Sequence, residues 1–498
     1  MKKMRKLAGL LLAMVMVFSM TAAAFAAETY SITINNATNG HVYEAYQIFV
    51  GDLHIETVDD EVTKTLSNVK WGANAKQTGN VAEDILEGLT IESAVSYVDF
   101  TSTPAGTSVD KGDTYVIEGL AAGYYLVKDQ DNTLNGKDDA YTSYILEVVE
   151  DSEVSPKSDV PEVEKKVDDK NDSNTTEDEV EWNDSADYDI GDDVPFQLKA
   201  TLADNVSSYG RYKIIFHDTL SKGLTYKAIT KVTVDGEEVT EGYVVNTVVN
   251  ADGTTTLTIT FDNVKAQGAT DSSIVIVEYT ATLNDDANIG SAGNPNEVYL
   301  EYSNNPNWDK DGDGKPDNPQ NPENPDEDEP TGETPEDKVI VFTYKVVVNK
   351  VDEDKQPLEG AGFTLYKKNA EGEYEPVGAE LVGEALTTFE WKGLDDGDYR
   401  LEETTTPAGY NTIAPIEFTI TAEHELLSDD PRLTALNGGD LFTGEVSTGT
   451  LSIDVENKTG ATLPETGGMG TTVFYVIGAT LVIGAAVVMV TKKRMSAN

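Results

Sequence analysis

Along most of the chain apolar and polar residues alternate one by one. The runs 30–34, 256–261, 273–279 and 345–349 each put every second residue on an apolar face, the period of a half-buried strand. Turn residues interrupt these runs frequently, as in β-sandwiches. Helical spacing is confined to one stretch, 83–89, with Asn80 placed to cap it. The pattern predicts an all-β protein built from tandem sandwiches.

With 498 residues the chain is long enough for three such domains. Two segments interrupt the alternation. Residues 152–161 are polar and contain Pro156 and Pro161, and residues 304–337 are rich in Asn, Pro, Asp and Glu. A strand pattern resumes at 339–344 directly after the second segment and runs on into 345–351. The segment 304–337 therefore reads as a long loop inside a middle domain, giving domains at 27–157, 158–344 and 345–462. A short repeat joins the first and third. Gly119-Leu120-Ala121-Ala122-Gly123-Tyr124-Tyr125 parallels Gly393-Leu394-Asp395-Asp396-Gly397-Asp398-Tyr399, and each continues to an acid, Asp129 or Glu403.

Both ends carry processing signals. Lys2, Lys3, Arg5 and Lys6 precede an apolar run, 7–20, and small residues follow with a cleavage site at Ala24-Phe25-Ala26. This is the layout of a secretory signal peptide, residues 1–26. At the other end Leu463-Pro464-Glu465-Thr466-Gly467 precedes an uncharged apolar stretch, 471–490, long enough to span a bilayer. Lys492, Lys493 and Arg494 then hold the tail on the cytoplasmic side.

Composition narrows the chemistry. Asp and Glu number 89 against 36 Lys and Arg, a formal net charge of −53, which disfavours nucleic acid and anionic membranes. Cysteine is absent although the chain is exported, so covalent reinforcement needs other chemistry. His41, His54, His217 and His424 are scattered with no pair at metal-ligand spacing. A thiol enzyme is excluded, and a zinc enzyme or Ser-His hydrolase is disfavoured. No substrate-directed site is evident, so the protein reads as a non-enzyme with no required cofactor.

The C-terminal signal resembles the sortase sorting signal, in which an enzyme thiol attacks the Thr466–Gly467 bond and keeps Thr466 as an acyl-enzyme. In the third domain Val346, Val348 and Lys350 share one strand face, and Leu451, Ile453, Val455 and Asn457 share another. A lysine and an asparagine thus point into an apolar layer, against the ordinary distribution. Between them lies Tyr399-Arg400-Leu401-Glu402-Glu403, continuing to Pro407 and Tyr410. This arrangement resembles the Cna-B-type domains of Gram-positive surface proteins. The resemblance implies a spontaneous Lys350–Asn457 amide promoted by Glu403. In the first domain Asn36 stands where Lys350 stands in the third, so no internal bond is expected there despite Asp129.

The middle domain resembles the Cna-A-like domain of major pilins. That likeness assigns Lys165 and Asn296 to a second amide, with Asp218, placed at a strand end, as the promoting acid. Lys166 and Asn304 remain open alternatives, Asn304 having the same strand parity as Asn296. Before this domain, Val154-Ser155-Pro156-Lys157 resembles the pilin motif whose lysine attacks the sortase acyl-enzyme, with Ser155 in place of the usual tyrosine. Asp309, Asp311 and Asp313 with Gly314, and Asp317 beyond, have the spacing of a calcium loop, though Gln320 stands where a closing Glu belongs. A flexible acidic insert is the other reading.

Together the chain resembles the isopeptide-forming, LPXTG-anchored fimbrial major subunits of Gram-positive bacteria, with tandem immunoglobulin-like (Cna-A/Cna-B-type) sandwiches. The implied function is the backbone of a cell-surface pilus anchored to the wall, each subunit joined by Thr466 to Lys157 of the next. Implied partners are pilus-type and housekeeping sortases, other copies of the chain, minor pilins and peptidoglycan. The alternative is a monomeric wall-anchored adhesin; no host ligand is identifiable from the sequence.

Overall fold

The computed structural model describes residues 28–460 except 37, 39, 59–60, 132, 135–136, 138, 157–158, 171–179 and 307–329. The signal peptide, Lys157, the acidic loop with Asp309, Asp311, Asp313 and Asp317, and the sorting signal with its apolar stretch lie outside the described residues. The chain divides into two compact units, one formed by the first sandwich and the other by the two that follow.

In the first unit, the strands Val109–Asp110, Thr114–Leu120, Tyr30–Asn35 and Ser152–Val154 form one sheet in that order. The other sheet is ordered Glu61–Trp71, Tyr43–Val58, Gly123–Asp129 and Ser143–Val148. Ile32, Ile34, Tyr115 and Ile117 pack against Tyr125 and Val127 between them. Three features differ from the sequence expectation. The helix Glu83–Glu87 has Ala82 at its N-cap with no side-chain cap, and Asn80 instead bridges Lys70. A second helix, Ile91–Tyr97, follows, closed by a reciprocal Thr90–Ser93 capping box. Finally, Ser152–Val154, inside the stretch read as a linker, pairs parallel with Tyr30–Asn35.

The middle sandwich shows why alternation predicts it. In Asp193–Thr201, Val194, Phe196, Leu198 and Ala200 are buried and the intervening residues are not. They face inward beside Val275, Val277, Tyr279 and Ala281 of Ile274–Leu283, the antiparallel neighbour. Glu162–Asp168 lies on the other side of Asp193–Thr201 in the same sheet. The opposing sheet runs Ser185–Asp187, Asp337–Phe342, Asn294–Ser303, Ile214–Leu220, Thr255–Phe261 and Val244–Val249. The segment read as one loop ends earlier than expected. Thr331–Glu333 already pairs with Asn294–Ser303, and Asp337 opens a full strand.

Thr343 separates that strand from Tyr344–Val351, which belongs to the third sandwich. There Tyr344–Val351 sits between Thr388–Leu394 and Thr450–Glu456, pairing parallel with the latter. The second sheet is built on Gly362–Lys368, Gly397–Thr405 and Ile416–His424. The repeat seen in sequence is a repeated corner where the chain passes between sheets. Gly119 and Gly393 both take positive φ, 80° and 72°. Tyr125 donates to the Ala121 carbonyl at 2.7 Å, and Tyr399 to the Asp395 carbonyl at 2.9 Å.

Candidate functional site

Each chemically competent side chain occupies an inward slot of an alternating strand. In the middle sandwich Lys165, Asp218 and Asn296 are all 0 % exposed. Asp218 and Asn296 lie diagonally on adjacent strands, since Asp218 pairs with Val298 and Leu220 with Asn296. Lys165 comes from the opposing sheet. Its Nζ donates to Asp218 Oδ1 at 2.6 Å and to the Tyr279 hydroxyl at 3.2 Å. Tyr279 in turn donates to Asp218 Oδ2 at 2.5 Å and accepts from Asn296 Nδ2 at 2.7 Å. Phe196 stacks on Tyr279, and the ammonium lies over both rings.

Burial dominates the protonation of this group. It pushes Lys165 down and Asp218 up, and their mutual attraction opposes both shifts without reversing them. A neutral amine beside a protonated carboxyl is the state a nucleophilic attack requires. Asp218 is not at a strand end, as expected from sequence, but inside Ile214–Leu220, which continues through Thr219 and Leu220. The adjacent His217 faces outward and bonds Glu301 at 2.8 Å. Tyr279 was missed because an inward tyrosine is ordinary in a strand. Lys166 turns to the other face and pairs with Asp184, while Asn304 directs its amide to the Asp139 carbonyl at 3.3 Å.

The third sandwich assembles the same three residue types differently. Lys350 and Asn457 are 0 % exposed and Glu403 is 7 % exposed. Lys350 pairs with Val455 across the parallel strands, and the Asn457 amide N–H donates to the Val351 carbonyl at 3.1 Å. The lysine and asparagine therefore belong to one sheet, and Glu403 reaches them from the other. Asn457 Nδ2 donates to Glu403 Oε1 at 2.8 Å, whose Oε2 accepts from the Ile413 N–H at 3.0 Å. Lys350 Nζ donates to the Val455 and Val351 carbonyls at 2.8 and 3.2 Å. Burial pulls Lys350 down to about 8 from 10.5. Near pH 7.4 about a fifth of such amines are neutral, roughly two orders of magnitude more than for an ordinary lysine.

One detail is common to both groups. Among the described residues neither Asn296 Oδ1 nor Asn457 Oδ1 has a hydrogen-bond donor. Burying a carboxamide oxygen in this way costs about 1–3 kcal/mol. A protonated Asp218 or Glu403 would supply the donor and polarise the carbon that an amine attacks.

Among its described residues the first sandwich does not bring such a set together. Asp129, 2 % exposed, accepts from His41 Nδ1 at 2.8 Å and from the Thr142 N–H at 2.8 Å. Asn36 donates to the Tyr43 hydroxyl at 2.9 Å.

Residues 190–306 match a Gram-positive pilin backbone subunit 2, Cna-B-like domain. Residues 344–430 match a SpaA prealbumin-like fold domain, and residues 455–496 an LPXTG cell wall anchor motif. The first match is described as Cna-B-like where the sequence likeness was to a Cna-A-like domain. The trypsin-resistant surface T6 protein of Streptococcus pyogenes serotype M6 is 24 % identical over 370 residues, 61 % of this chain. The match spans 65 % of that relative's length. The solved T6 backbone pilin of the same serotype aligns with TM-score 0.55 at 18 % identity, over 88 % of this chain and 100 % of that one, and shares its fold. The full-length major pilin SpaD of Corynebacterium diphtheriae aligns with TM-score 0.49 at 16 % identity, over 87 % and 98 % of the two chains.

Proposed function

We infer that this chain, a member of the LPXTG-anchored Gram-positive major pilins, is the shaft subunit of a sortase-assembled pilus. The observation that carries this reading is a pilin-backbone domain match at 190–306 followed on the same chain by a wall-anchor motif at 455–496. The protein is a substrate of sortase and not itself an enzyme, and its place is the cell-wall-anchored surface.

Polymerisation requires two exchanges at one carbonyl. The sortase thiolate attacks the Thr466 carbonyl carbon and the Gly467 amine leaves, giving a thioester. The Lys157 amine of another copy then attacks, an amide forms and the thiolate departs. Anchoring to peptidoglycan uses the same acyl-enzyme with a wall amine. Minor pilins would enter the shaft through the same chemistry.

Internal amides stiffen the subunit. In the middle sandwich the neutral Lys165 amine attacks Asn296 Cγ, with the proton moving through Asp218, and ammonia leaves. In the third, Lys350, Glu403 and Asn457 take the same parts. The fold supplies the positioning, which lowers such barriers by roughly 7–11 kcal/mol.

Coexpression with a pilus-type sortase tests the reading. Wild-type protein should give a ladder of covalent multimers on a denaturing gel, and Lys157→Ala should collapse it to a single wall-linked species. A single band from wild type would instead indicate a monomeric wall-anchored adhesin.

A further inference from the structure

Where the middle and third sandwiches meet, Asp169, Asp187 and His424 converge, their ligand atoms all within 4.8 Å of one another. Asp169 follows the strand Glu162–Asp168, Asp187 ends Ser185–Asp187, and His424 ends Ile416–His424. Three segments from two domains thus meet at one point.

The hydrogen bonds fix how the imidazole faces this point. Ser185 Oγ lies 2.8 Å from the Glu425 carbonyl, which can only accept, so the single hydroxyl proton points there. Ser185 Oγ also lies 2.8 Å from His424 Nδ1, so Nδ1 carries a proton and donates to it. In the neutral imidazole, the form that burial favours, Nε2 then presents its lone pair to Asp169 Oδ2 at 3.7 Å and Asp187 Oδ1 at 3.9 Å. Both separations exceed hydrogen-bond length. The His424 side chain is 7 % exposed and that of Asp187 is 5 % exposed.

A buried lone pair facing two carboxylate oxygens repels them unless a positive charge lies between. Among the described residues, the lysines beside this group are engaged with other carboxylates. Lys367 is held by Asp189 and Asp395, on the side of Asp187 that faces Asp395 and Asp396. Lys170 pairs with Asp168. The separations suit an ion instead, since donors about 2.1 Å from a tetrahedral ion stand about 3.4 Å apart.

We propose that Asp169, Asp187 and His424 bind a divalent transition-metal ion of the Zn²⁺ class at the junction of the middle and third sandwiches. One imidazole and two carboxylates suit such an ion better than calcium, which takes oxygen donors alone. The Asp169 side chain is 26 % exposed, so ions enter from its side and water completes the coordination. Ser185 acts at one remove by fixing the tautomer. The bound ion ties the two sandwiches together.

Zn²⁺ titration of the chelator-treated full chain by calorimetry tests the site, with Co²⁺ absorption reporting a nitrogen ligand. One site of micromolar or tighter affinity is expected in wild type and equally in Asp313→Asn, which alters only the acidic loop. His424→Ala should lose both the heat and the Co²⁺ band, and Ser185→Ala should weaken binding about tenfold. Should His424→Ala fail to fold, Asp169→Asn at the most exposed donor must show the same loss of heat. No binding by wild type overturns the proposal, as does a site that survives in His424→Ala or in Asp169→Asn.

Discussion

Replacing Glu403 by glutamine removes the acid of the third sandwich while keeping its size and a hydrogen-bonding partner for Asn457. Glutamine cannot donate and then recover a proton, so the Lys350–Asn457 amide should not form in Glu403→Gln, while the Lys165–Asn296 amide still should. Intact-mass measurement then reads the loss of one ammonia in the variant and of two in wild type. The consequence for stability follows from loop closure. Residues 350 and 457 close a loop of roughly 100 residues, for which the chain-entropy model gives about 4.7 kcal/mol. At about 4–8 °C per kcal/mol for a domain of about this size, the melting transition of the third sandwich should fall by about 20–40 °C. Differential scanning calorimetry of the full chain should show that transition moving and the others staying in place. A variant with the mass of wild type would refute the role given to Glu403. A lost amide with an unmoved transition would refute the entropic argument while leaving the chemistry intact.

Lys165→Ala should retain one ammonia relative to wild type by mass, and Lys166→Ala should match wild type; the reverse result would exchange their assignments. Tyr279→Phe keeps the ring and deletes the hydroxyl joining Lys165, Asp218 and Asn296, so middle-domain amide formation should slow at least tenfold in a refolding time course followed by mass. In Asn457→Ala the free Lys350 amine stays near 8 in the fold against 10.5 unfolded. The unfolded chain then binds the extra proton, and stability should rise between those pH values by about 3 kcal/mol, a rise that Lys350→Met in the same background abolishes. Gly449 adopts φ +60, and a Cβ there would meet the Gly290 backbone at 2.6 Å. Gly449→Ala should therefore destabilise the protein by about 1–3 kcal/mol in urea unfolding, and an unchanged midpoint would show that the two loops yield.

Lys350 and Asn457 drew notice because a polar residue in an inward slot breaks a period-two pattern, and a broken pattern is visible from sequence; Glu403 was marked instead by the Tyr399–Tyr410 box that resembles the Cna-B-type domains. Asp218 was legible as an acid but misplaced along its strand, which runs on through Thr219 and Leu220 before it ends. Tyr279 breaks no pattern, so nothing marked it. The helix Ile91–Tyr97 was invisible for a related reason. Its seven residues are too few to show a period, and its capping box uses serine at the position where glutamate is the usual signal. The Asp169–Asp187–His424 group was least legible of all. Its members lie on three separate segments, and only the packing of the middle and third sandwiches brings them together.

The placement of the amides also makes mechanical sense of the linkage. If the proposed joint holds, a pull along the shaft would enter each copy at Lys157 and leave at Thr466, running along the chain through the middle and third sandwiches and bypassing the first. Those two sandwiches hold the lysine, acid and asparagine sets, and the first has a histidine–aspartate pair in that position. In the third sandwich the amide would join the first strand, Tyr344–Val351, to the residue after the last long one, Thr450–Glu456. The load would then cross from 350 to 457 through a covalent bond, and the strands between would carry none of it. The middle sandwich is protected less completely. Its amide would close at Asn296, leaving Asp337–Phe342 outside the loop, held by its pairing with Asn294–Ser303 and by the Lys165 N–H donating to Asp337 at 2.6 Å. Under force that strand should peel first, ahead of any rupture within either cross-linked loop. A single-molecule pulling trace should therefore show one short extension set by the residues between 296 and 343, and a full-length unfolding step of either sandwich would contradict the covalent load path.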